Sequence, residues 1–120
     1  MDTQSTVTTK VGVQKIGKQT SGELPKVKDA NVNLRDRLND SLLDEKQILV
    51  NYQIAINEVI NDDLRNLLTD TRNKIQGAHT GFFNELFNLG EYQADVATTP
   101  QIKDTLDVFN NYKTQLPFNQ

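Results

Sequence analysis

Between Asn33 and Ile60 the apolar side chains Leu38, Leu42, Leu49, Tyr52, Ile56 and Val59 recur at steps of four and three. That spacing puts them on one face of a long helix and commits the segment to packing against another helix. One position of the stripe holds Glu45, a carboxylate where a packed seam calls for an apolar group. Such a residue is either a buried polar contact or part of a site.

The rest of the chain supplies the partner. Asn33 is placed to cap the first helix, with Asp36 three residues on bringing negative charge to its first turn. Asn61, Asp62 and Asp63 combine turn chemistry with an acidic helix start, and a second stripe follows through Leu64, Leu68, Thr71, Ile75, Ala78, Phe82, Leu86 and Leu89. Two long helices joined by so short a turn form an antiparallel hairpin. Gly90 stands where a helix ends in the left-handed conformation, and residues 91–98 read as a loop. Thr99 and Pro100 then open a third helix, with Ile102, Leu106, Phe109 and Tyr112 on one face and Pro117 as its stop. The predicted architecture is all-α, a long antiparallel hairpin plus a shorter third helix over residues 33–120, behind an arm formed by residues 1–32.

The arm carries Gly12, Gly17, Gly22 and Pro25 among Thr, Gln, Ser and Lys, with too few apolar groups to offset its ordering entropy. Val7, Val11 and Val13 fall on odd positions, the period of a short strand. Two readings stay open: a mobile extension, or a strand that pairs with a neighbouring subunit.

Composition limits the functions available. The chain has 120 residues, 36% of them hydrophobic, so one small core is expected, and paired hairpins in a four-helix bundle would enlarge it. There is no cysteine, hence no disulfide, thiolate metal site or thiol nucleophile, and self-association is the remaining means of reinforcement. The arm is net basic and the remainder acidic, against a total of -3, which argues against nucleic acid as a partner. No apolar run is long enough to span a bilayer, and the start MDTQSTVTTK lacks the apolar stretch of a secretory signal, so cytoplasmic synthesis is expected. Neither a glycine-rich phosphate loop nor a calcium-loop pattern occurs, and Asn39-Asp40-Ser41 is a sequon without a secretory context. Asp36, Asp40 and Asp44 form an acidic row that reads as a solvated face, as does Glu85.

One constellation could carry chemistry. Glu45 lies sixteen residues before Asn61, about 24 Å along the helix, so its antiparallel partner lies near residue 78. His79, the sole histidine, falls at that level, with Gln76 one turn away. A carboxylate facing Glu-x-x-His is half of the dimetal site of ferritin-like bundles; here Gln76 replaces the bridging carboxylate and weakens any claim on a hard cation. A hydrogen-bonded polar layer of Glu45, Gln76 and His79 is the competing reading. Gly77 and Gly81 lie beside His79 inside the helix, each costing about 1 kcal/mol relative to alanine, and their spacing of four suggests close approach of another backbone or room for a ligand.

Leu38-Asn39-Asp40, Glu45-Lys46, Tyr52, Ala55, Asn57-Glu58, Leu64 and Leu68, then Leu86, Gly90, Tyr92, Tyr112 and Gln115-Leu116-Pro117-Phe118, together resemble the spore coat protein F family of endospore-forming bacteria. The order and spacing of many weak matches carry the likeness. It implies a ferritin-like half-bundle, expression during sporulation, a structural place in the spore coat without cofactor or catalysis, and other coat proteins as partners. Glu91 stands where an aromatic residue is expected in many relatives, and the Lys- and Thr-containing arm has no counterpart in the resemblance. The leading expectation is a non-enzymatic assembly protein that self-associates through its helices. Its competitors are a metal-binding protein or oxidase using paired Glu45 and His79 half sites, and an adaptor captured by its arm.

Overall fold

A computed structural model of the protein describes residues 1–117; Phe118, at the end of the resemblance, lies outside the described residues. The elements run β1 (Thr6–Thr8), β2 (Gln14–Ile16), α1 (Leu34–Glu58), α2 (Asp62–Asn88), β3 (Ala94–Asp95) and α3 (Thr99–Lys113). The fold is mostly helical, and its two long helices pack together as the stripes require.

Local chemistry sets the boundaries. At Asn33 a full capping box forms: its side chain accepts from Asp36 N, and the Asp36 carboxylate accepts from Asn33 N. Asn61 caps α2 through Leu64 N at 2.8 Å. At the far end of α2, Gly90 adopts φ +72°, and Gln19 passes so close that any Cβ on residue 90 would meet backbone. Glycine is therefore needed twice there, for the left-handed turn and for the approach of the arm. Thr98, not Thr99, caps α3, which places Pro100 in its first turn; the helix ends at Lys113, before Pro117.

The arm is not an independent strand. Val7 lies in β1, but the chain turns between Thr9 and Gly12, leaving Val11 and Val13 in the turn and before β2. β1 and β2 form an antiparallel hairpin, and β2 also pairs with β3, from the loop read as irregular, through Lys15↔Asp95 and Ile16↔Ala94. The neighbour of β2 is thus a segment of the same chain. Two residues of strand within a turn-rich stretch leave no periodicity to read.

The core is small and lies at one end. Among the described residues Leu38, Leu42, Leu86 and Phe87 are the buried apolar ones, and Phe83 and Leu89 pack on the Leu38, Leu42 and Leu86 cluster. All lie where the hairpin opens and the arm crosses it. Ser21 N donates to Leu89 O at 2.8 Å, Lys18 Nζ to Asn88 at 3.1 Å, and Gln93 Nε2 to Lys18 O at 3.0 Å, tying arm to hairpin. α3 packs on no other element, and none of its residues is buried.

Candidate functional site

Midway along the hairpin, α1 carries Glu45 and α2 carries His79 into the seam. His79 Nδ1 lies 3.4 Å from Glu45 Oε2, and both side chains are largely shielded from solvent. Neither atom completes a hydrogen bond. Two buried polar atoms facing each other without a bond are costly to keep, and an apolar pair of the same size would fill the layer at lower cost.

Gln76 does not join them. It is exposed on the margin of α2, where it lines a shallow groove with Leu49, Val50, Gln53, Arg72 and Asn73. The side chain at 76 is one turn from that at 79, but the helical step of 300° over three residues carries it off the seam. Among the described residues there is no group of three or more His, Cys, Asp or Glu side chains able to hold a metal ion. The site is a two-residue polar layer.

Gly77 and Gly81 are exposed, and a Cβ built on either meets nothing within 4 Å. No backbone among the described residues approaches them. The open space they leave is on the outer surface of α2.

A second polar cluster, which the stripes did not signal, braces the opposite side of the open end. Arg35 Nη1 donates to Glu91 Oε1 at 3.0 Å, with the side chains 17% and 11% exposed, and Arg35 Nη2 donates to Pro25 O. Arg35 gives the charge of Glu91 a partner. Tyr92 stacks edge-on against Phe83, with ring centroids 4.4 Å apart. The Lys28 ammonium beside Asp36, helped by the Asn33 amide, holds the Asp36 carboxyl below its ordinary range, so the capping box stays ionised.

One flank of the hairpin exposes large apolar side chains. At 3.6 residues per turn, Ile48 on α1 and Leu64, Leu67 and Phe82 on α2 fall on one flank of the hairpin, away from the polar groove and from the Arg35 brace, and all four are exposed. A Coat F domain model matches residues 33–95. This chain belongs to the Coat F family. The Coat F match begins at Asn33, the cap of α1, and ends at Asp95, the last residue of β3. It therefore takes in the hairpin, the polar layer, the brace and β3, while the arm and α3 lie beyond it. No curated protein and no solved structure matches the chain.

Proposed function

We propose that the chain is a non-enzymatic assembly protein of the bacterial spore coat or a related spore surface layer, acting by helix-mediated self-association. Membership of the Coat F family supports the coat role in general. The observation that carries self-association is how little of the fold closes on itself. The radius of gyration is 20.3 Å, against about 14 Å for a compact domain of this length. A hairpin with one open flank and a third helix with no packing partner leaves apolar surface of the kind that marks association.

The partners in this reading are further copies of the chain and other coat proteins. No helix among the described residues is long and apolar enough to cross a membrane. The polar layer serves register: sliding the helices by a turn would set Glu45 or His79 against an apolar neighbour, a penalty that fixes one alignment. Domain organisation follows the same logic, with residues 1–32 as a strapping arm and 33–120 as the assembling body.

Fractionation of spores from a sporulating host tests the reading. The protein is expected in the coat fraction, resistant to salt extraction, and the purified chain is expected to sediment above its monomer mass. Absence from spores together with a monomer at every concentration overturns it.

A further inference from the structure

We propose that α3 is an exchange helix, which docks its apolar ridge on the open hairpin flank of a second copy of this chain and receives that copy's α3 in return. The inference rests on the self-association just argued and names the surfaces that carry it.

Both surfaces expose large apolar side chains, with Lys74 and Glu85 on the outer edge of the flank, and the flank is long enough to take α3. Ile102, Leu106 and Phe109 recur at steps of four and three on α3, with Tyr112 one turn further. The open flank runs from Leu64 to Phe82, about 27 Å along α2, and the fifteen residues of α3 span about 22 Å, so the flank accommodates the whole helix. Ridges spaced by four and three fit grooves of the same spacing. Small side chains lie in the middle of the flank at Thr71 and Ala78, where a ridge can settle. Charges agree as well: Asp104 and Asp107 lie on the back of α3, Lys103 and Lys113 flank its ridge, and Asp44 on the α1 margin of the open flank forms no ion pair among the described residues.

The tether selects a second copy over the chain's own hairpin. β3 is pinned to β2, and Tyr92 just before it stacks on Phe83, on the other flank of α2 from the exposed stripe. From Asp95 to Thr99 the chain covers four steps, about 14 Å at full extension. Passing from one side of a helix layer to a helix packed beneath the other needs about 20 Å. To reach its own flank, α3 must strip β3 from the sheet.

Area points the same way. Ile48, Leu64, Leu67 and Phe82 are 37–62% exposed, and the four ridge residues of α3 are 54–63% exposed. At about 200 Å² for a large apolar side chain, this leaves roughly 350 Å² on the flank and 450 Å² on α3. Neither surface alone reaches the roughly 800 Å² per partner of a standard interface, whereas a reciprocal exchange uses both and does.

The cysteine-free chain makes the test direct. Chains carrying only Ala78→Cys and only Thr105→Cys are mixed and treated with a short bismaleimide; both positions are exposed and outside the core. The expected product is a dimer containing one chain of each kind, and the chain bearing both substitutions is expected to link between molecules. Loops closed within single molecules of the double variant overturn the proposal, as does absence of mixed dimers. In parallel, Leu106→Asp is expected to raise the dissociation constant of the assembly about tenfold or more while far-ultraviolet circular dichroism still reports the hairpin. If Leu67→Asp dissolves the assembly and Leu106→Asp leaves it intact, hairpins pair directly and the exchange is wrong, although self-association stands. If the unsubstituted chain is a monomer throughout, both readings fall.

Discussion

Where the chain enters and leaves the hairpin, four apolar side chains are buried, an Arg35–Glu91 pair spans α1 and the loop after α2, and the arm is sewn to the end of α2 by backbone and amide hydrogen bonds. Toward the Asn61 turn the same two helices bury nothing fully: Tyr52, Ile56, Val59, Leu68 and Ile75 are half-covered, and Arg72 to Gln53 and Arg65 to the Val59 carbonyl supply polar links instead. Both ends belong to one pair of helices with similar stripes. What separates them is a third layer, present at one end and missing at the other. An amphipathic stripe gives a contact, while burial requires something on its far side.

The largest expected contrast is in core truncation. Phe87→Ala should cost about 3–5 kcal/mol in chemical denaturation of the dilute chain, and Leu68→Ala near the turn about 1–2 kcal/mol. Equal costs would mean that the turn end is already packed within one molecule.

The charged brace comes next. Arg35→Ala leaves Glu91 shielded and unpaired, and a loss of about 2 kcal/mol is expected; Lys15→Ala, which removes a pair whose Asp95 is mostly exposed, should cost under about 1 kcal/mol. Denaturation midpoints of the two variants, compared at low salt, check this. A smaller loss at Arg35 than at Lys15 would contradict the part of the brace in holding α1 to the loop after α2.

Much of this was legible before the structure, and the reason differs by element. Asn33, Asn61 and Gly90 were readable because capping and left-handed termination depend on a few neighbouring residues. The meeting of Glu45 with His79 was readable because an antiparallel hairpin with a short turn fixes levels by counting. Gln76 was misplaced, since three residues carry a side chain far enough round the helix to leave a seam only one residue wide. Phe83 and Phe87 lie outside both stripes, and the Tyr92 ring that covers Phe83 comes from the loop after α2, a neighbour that neither stripe announces. β3 and the Arg35–Glu91 pair join residues far apart in sequence, and no local pattern reports such a match.

The polar layer offers a sharper, smaller test. Glu45→Leu and His79→Leu alone each leave a shielded polar atom facing an apolar group, a loss of about 1–3 kcal/mol, whereas the double substitution should recover most of it or exceed the parent. A double-mutant cycle measures the coupling, and additive losses would show that the two side chains do not act as one layer. The recovered stability should come with looser helix register, visible as broadened amide resonances.

The smallest effect separates the molecule from its assembly. Gly77→Ala and Gly81→Ala place a methyl group in open space on a helix interior, so each should stabilise the dilute chain by about 0.5–1 kcal/mol. If another backbone packs against these glycines in the assembly, the same variants associate more weakly as they become more stable. Unchanged association would assign the glycines no part in the interface.

The central claim, that this chain is completed by further copies of itself, is tested most directly by sedimentation equilibrium of the full chain over a wide concentration range. The mass is expected to rise from 13.6 kDa to at least twice that value, with a reversible transition in between. A mass of 13.6 kDa at every concentration would contradict it.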